Sequence, residues 1–217
     1  MTALHLRNKC LQEARGSNTR VMEAFKNATR GQPGAEKLSG ISLLRSMQRR
    51  RRDATPPAPT DAPDADKYLT DERYSGSLYA KHYLGMVQAI ADDGGHEGYG
   101  LLFGSLNTIR HLGEETKVIQ VDGTFRTAPS TANGRFYQIL IFHAKYGGHV
   151  MPFFKAIMTG KKRLLYDSVF VKIKEFLPEG VNPEVVLTDF EPALQGALAA
   201  VFPEASVRGC WFHFSQV

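Results

Sequence analysis

Past residue 117 the spacing of apolar positions switches between a period of two and a helical period, and the switches mark out the elements. In "KVIQVDGTFR" (117–126) Val118, Ile119 and Val121 run into Asp122, which predicts a strand over 117–125. "APSTANGR" (128–135) is rich in turn formers. "FYQILIFHAKY" (136–146) alternates and is dense in β-branched and aromatic side chains, as strands are. Gly147 and Gly148 read as a tight turn into a third strand, "HVMPFFKAIMT" (149–159). A helical stripe follows: Leu165, Val169, Ile173 and Phe176 or Leu177, stopping before Pro178 and Gly180. "EVVLTD" (184–189) is a short apolar strand of the kind buried on both faces. Pro192 opens a second helix at an allowed first-turn position, with Leu194, Ala197, Leu198, Val201 and Phe202 along one side. "ASVRGCWFHF" (205–214) reads as a last strand. Three antiparallel strands, then helix, strand, helix, strand, predict an α/β fold with a mixed sheet.

The pattern before residue 117 is weaker. Residues 1–54 read as a basic region, helical or flexible: Leu11, Val21, Met22 and Phe25 are sparse, while Leu38, Ile41, Leu44 and Met47 fall at helical spacing. "TPPAPTDAPDAD" (55–66) carries four prolines and three aspartates, and is read as a linker with neither helix nor strand. Residues 67–116 lead into the patterned half; "SLYAKHYLGMVQAI" (77–90) and "YGLLFGSLNTIRHL" (99–112) fit helix or strand equally. There is no internal repeat.

Composition sharpens this picture. With 42% hydrophobic and 10% aromatic residues the chain can build a core. The net charge of +5 is uneven: residues 1–53 hold 12 Lys/Arg against 4 Asp/Glu, the rest 15 against 18. A basic arm on a mildly acidic body is either a solvated tail or a contact for a polyanion. Arg49 to Arg52 suit a helix C-terminus, phosphate contacts or a nuclear import patch. Two cysteines, Cys10 and Cys210, are too few for a disulfide scaffold and fit a reducing compartment. The N-terminus has no signal-peptide core, and no window is apolar enough to span a membrane, so a soluble, intracellular protein is expected.

The candidate chemistry lies in Asp122 and Asp189, each closing an apolar strand. If the helical crossover sets the fourth strand beside the first, the two carboxylates reach one edge of the sheet. Like charges that close are costly unless a cation lies between them, and hard carboxylate oxygens suit Mg2+ or Mn2+. Paired divalent ions stabilise the attacking and leaving oxygens of a phosphodiester displacement. Read singly, Asp122 is a turn residue before glycine and Asp189 a cap for the Pro192 helix.

The blocks "QVDGTFRTAP", "FYQILIFHA", "VMPFFKAIMTGKKRLLYDSVF" and "VVLTDFEPALQGALAAVFPEASVRGCWFHFSQ" resemble, in order, the transposase domain of Mutator-like elements over residues 117–217. The resemblance implies an RNase H-like fold, two aspartates and a glutamate holding Mg2+ or Mn2+, and DNA cleavage with strand transfer. Asp122 in "DGTF" matches the first acid and Asp189 in "TDFE" the second. The third acid of the family lies downstream of the "GCWFHFSQ" block, and no residue here matches it. Glu191 is read as bound to backbone N–H groups at the helix start.

The expectation is therefore a fragment of a transposase catalytic domain, incomplete at its C-terminus and inactive alone. The alternative is a non-catalytic DNA-binding or regulatory protein derived from one. Cys210 and His213 form a C-x-x-H pair that the family shows; zinc needs four ligands and the sequence offers no second pair nearby. If strand-borne, these two residues face opposite ways. Trp211 and Phe212 are read as packing residues, and His143 and His149 as hydrogen-bonded histidines. Lys161, Lys162 and Arg163 stand at a helix start, as DNA-phosphate contacts or as a solvated turn. The expected partner is DNA, with self-association left open and neither membrane nor small-molecule substrate; the expected location is the nucleus.

Overall fold

The computed structural model describes residues 3–16, 20–33, 35–38, 40–53, 55–113 and 115–215, leaving aside the side chains of 15, 16, 37, 212 and 213. The chain divides into two compact units, Met1–Pro57 with Lys67–Lys81, and Ala58–Asp66 with His82–Val217.

In the first unit three helices, α1 (Ala3–Gly16), α2 (Val21–Thr29) and α3 (Gly40–Asp53), share a small core. Cys10, Leu11 and Ala14 meet Ala24 and Ala28 from α2 and Leu43 and Met47 from α3. Alanines carry much of this packing, which is why the stripe looks faint in sequence. Burial pushes the Cys10 thiol pKa up. On α3 the buried positions are Leu43 and Met47, with Leu38 and Leu44 packed alongside, whereas Ile41 is exposed. The expected Ile41 stripe is thus displaced toward Leu43.

The proposed linker is in part helical. α4 runs over Ala62–Thr70, so its first turn falls inside residues 55–66. Asp61 Oδ1 accepts from Asp64 N at 2.8 Å, and Asp64 Oδ2 accepts from Thr60 N at 2.9 Å. This reciprocal capping satisfies amides that a helix start leaves open, and Pro63 sits in the first turn, where its missing N–H costs nothing. The aspartates that looked like linker residues are the caps.

The ambiguous stretch 77–90 splits into α5 (Leu78–His82) and strand β1 (Tyr83–Ile90). β2 (His96–Gly104) pairs antiparallel with β1, and α6 (Leu106–Arg110) follows, capped by Ser105 Oγ accepting from Thr108 N at 3.3 Å. Then come β3 (Val118–Thr124), the small hairpin β4 (Ser130–Thr131) and β5 (Gly134–Arg135), β6 (Gln138–Tyr146) and β7 (His149–Met158). α7 (Arg163–Phe176), β8 (Val185–Thr188), α8 (Pro192–Val201), β9 (Ser206–Gly209) and α9 (Trp211–Phe214) complete the order.

The result is a mixed α/β unit around a seven-stranded, mostly antiparallel sheet of order β1-β2-β7-β6-β3-β8-β9. β8 lies parallel beside β3, as the crossover argument requires, and β9 parallel beside β8. Two expectations need correction. The antiparallel part has five strands, because β1 and β2 extend it from β7. The last strand stops at Gly209, and "WFHF" is a helical turn.

One face of this sheet is the core. Ile119 and Val121, Leu140, Phe142 and Ala144, and Phe154, Ala156 and Met158 are buried with Leu165, Tyr166, Val169, Phe170 and Ile173 of α7. Leu194, Ala197, Leu198 and Val201 of α8 join the same cluster. Phe142 meets Phe153, Phe154 and Phe170 edge-on, the geometry that ring quadrupoles favour. β8 is buried on one face only: Val186 and Thr188 are covered, Val185 and Leu187 half-covered. No described helix is long and apolar enough to cross a membrane.

Candidate active site

Two strand alternations place the acids. On β3 Ile119 and Val121 face the core, so Gln120 and Asp122 face the opposite side. On β8 Val186 and Thr188 face the core, and the alternation carried one residue on puts Asp189 with Leu187 on that opposite side. The parallel register pairs Gln120 with Leu187. That pairing brings the strand of Asp122 beside the strand that leads into Asp189, and adjacent strands lie about 4.8 Å apart.

Asp189 also performs the structural duty read from sequence. Its Oδ1 accepts from Glu191 N at 2.9 Å and its main-chain oxygen accepts from Gln195 Nε2 at 2.8 Å. These bonds fix the turn between β8 and α8, and with it the carboxylate. Glu191 does not take the expected place on backbone amides. Its Oε2 accepts from the Tyr166 hydroxyl at 3.1 Å, and that hydroxyl accepts from Gln138 Nε2 at 2.8 Å. Burial raises the Glu191 pKa, while the Tyr166 bond opposes the shift. The Tyr166 hydroxyl is itself raised, mainly by burial.

This chain of bonds spans both acid-bearing segments. A Cβ on Gly123, next to Asp122, would stand 2.9 Å from Gln138 Oε1. Gln138 is 1% exposed and also donates to Gly160 O at 3.3 Å. Sequence reading missed this brace. Its one signal was a glutamine opening the apolar run Ile139–Phe142.

His143 pairs with Gln120 across β3 and β6, one step from the Asp122–Ile141 pair and on the same side of the sheet. Burial lowers its pKa; Asp122 pulls it up and Lys155 pushes it down. Its Nδ1 is buried with no hydrogen bond among the described residues. The imidazole is therefore neutral near pH 7, and it senses the charge at Asp122.

The remaining candidates scatter. Lys161 lies over the Tyr137 ring at 5.9 Å and lowers the Glu191 pKa, so it belongs to the surroundings of Asp189. Lys162 pairs with Glu97 at 2.5 Å, and Arg163 with Asp167 at 2.8 Å. Cys210 stands between β9 and α9, its N–H bonded to Thr188 O at 2.6 Å. It is not strand-borne, and the side chain of His213 lies outside the described residues. Trp211 is 77% exposed, not packed as expected, and stacks near Phe214. Arg49 to Arg52 lie on α3 in the helical unit.

Residues 118–217 match the family model of the MULE transposase domain. Over these residues the chain is similar to MULE transposase domains. The match takes in β3 to α9 and both acids, Asp122 and Asp189. β1 and β2 lie before the matched residues, although they belong to the same sheet. No curated protein matches the chain.

For a divalent ion, Asp122 on β3 and Asp189 just past β8 are the candidate hard oxygen donors. Among the described residues no group of three His, Cys, Asp or Glu side chains is placed to hold a metal. The pair fits one side of a Mg2+ or Mn2+ shell.

Proposed function

We propose that the sheet unit is an RNase H-like transposase domain whose Asp122 and Asp189 hold Mg2+ or Mn2+ against a DNA phosphodiester. The strand order β7-β6-β3-β8-β9, antiparallel up to β3 and parallel beyond it, supports the RNase H-like assignment. The observation that supports the reading is the parallel pairing of β3, which carries Asp122, with β8, which leads into Asp189. Bound there, a divalent ion supplies the positive charge that makes a phosphodiester oxygen a better leaving group. Asp122 is held by β3, and Asp189 by the Glu191 N–H and Gln195 bonds, so neither must be ordered at the moment of binding. Lys161, beside Tyr137, is the candidate contact for a DNA phosphate near the acids. The neutral His143 adds no positive charge to compete for the carboxylate.

The chain alone does not cut DNA in this reading, since two carboxylates leave a divalent shell incomplete. Titration calorimetry with MnCl2 tests the site. Heat is expected from the wild type and should be lost in Asp122→Asn and Asp189→Asn; equal heats in all three would overturn it.

Among the described residues no third acid joins the pair, which favours a second reading, a DNA-binding or regulatory protein that keeps the fold without the chemistry. Neither reading expects the chain alone to nick supercoiled plasmid with Mn2+, and nicking that disappears in Asp189→Asn would overturn both. Duplex binding together with MnCl2 heat marks the first reading, and duplex binding without that heat marks the regulator. Nuclear location belongs to both readings, and a fluorescent fusion with Arg49 to Arg52 changed to glutamine tests whether that run directs it.

A further inference from the structure

Outside the transposase domain, α1 and α3 enclose a cleft of about 210 Å³ lined by Arg7, Leu11, Ser46, Arg49, Arg50 and Asp53. Three arginines from two helices therefore line one small concavity with a single aspartate. Like charges gathered this way repel, and an anion from outside relieves the repulsion. The helix dipole accounts for arginines in the last turn of α3, but not for Arg7, which comes from the middle of α1. Nor do the four consecutive arginines act together. Arg51 turns inward and donates from Nε to Ala14 O at 3.2 Å, whereas Arg49, Arg50 and Arg52 are exposed.

We infer that this cleft is a clamp for the phosphate backbone of duplex DNA, with Arg7, Arg49 and Arg50 as its contacts. Arginine suits the task because its planar fork meets two phosphate oxygens at once. DNA is favoured over other polyanions because the same chain carries a transposase domain, and to that extent the inference rests on the proposed function. The contacts are to backbone, so binding is independent of sequence and steep in salt.

The test compares two charge-matched double variants of the full chain on a fluorescein-labelled random duplex, at 50 to 200 mM NaCl. Arg49→Gln with Arg50→Gln changes the cleft. Arg45→Gln with Arg52→Gln removes the same charge from exposed positions of the same helix that do not line it. The cleft pair is expected to weaken binding about tenfold and to flatten the log–log salt slope by about 2, at roughly 0.9 for each phosphate that is no longer neutralised. The control pair should cost under about threefold, and Arg7→Gln, on the other helix, should behave like half the cleft pair. Equal losses in both pairs, or a wild type that binds phosphatidylserine vesicles and not the duplex, would overturn the clamp. The duplex assay is run without divalent ion, so failure of the cation site, read by MnCl2 calorimetry, and failure of the clamp, read by the duplex, give different results.

Discussion

Tyr166, on α7, donates its hydroxyl to Glu191 Oε2 at 3.1 Å, across the turn that presents Asp189. Through Gln138 the same hydroxyl is tied to the strand that flanks Gly123 and Asp122. The strand beside β3 and the turn that presents Asp189 are thus joined by one hydrogen-bonded chain, Gln138–Tyr166–Glu191.

Removing that hydroxyl strands two partners. Tyr166→Phe is expected to destabilise the sheet unit by about 1–2 kcal/mol, the usual cost of leaving buried polar groups unsatisfied. The urea midpoint of tryptophan fluorescence would report it, since Trp211 is the single tryptophan. An unchanged midpoint would mean that water replaces the hydroxyl.

Glu191 makes stability depend on pH in a defined direction. Its folded pKa is raised above the ordinary 4.5, so the folded protein keeps a proton that the unfolded chain has released. The contribution is complete below pH 4.5 and is lost as pH rises through the folded value. Wild-type Tm should therefore fall relative to that of Glu191→Gln as pH rises from 4 to 7. Parallel Tm curves would show that the carboxyl is not shifted.

His143 reports on Asp122. The carboxylate holds the imidazole pKa up against burial and Lys155, so Asp122→Asn should lower it further below 6.5. A divalent cation at Asp122 should move it the same way. NMR titration of the His143 ring protons, with and without Mg2+, measures both. A pKa that neither change moves would separate His143 from the site.

In the helical unit the arginine run predicts unequal effects. Arg51→Ala removes the bond to Ala14 O and should cost about 1–2 kcal/mol, whereas exposed Arg52→Ala should stay within about 0.5 kcal/mol. Amide exchange over residues 3–16, read by mass spectrometry, should accelerate in the first variant only.

Much of this protein is written in local pattern. The alternation in 136–146, the stripe Leu165–Val169–Ile173 and the stop at Pro178 fix strand, helix and boundary, because each depends only on which face neighbouring side chains share. The apolar runs that end on Asp122 and Asp189 likewise marked the acids. Sequence was weakest where the signal is not periodic. The hairpin β1–β2 is interrupted by glycines, alanines carry the helical core, and Asp61 and Asp64 resembled linker residues until the helix they cap was present.

What only tertiary structure decided are relations between distant segments. The parallel pairing of β3 with β8, the turn of Glu191 toward Tyr166, the inward course of Arg51 and the cleft that Arg7 and Arg49 both line each join residues whose separation along the chain carries no information about contact. Local spacing specifies faces, whereas partners follow from which faces the packed core brings together.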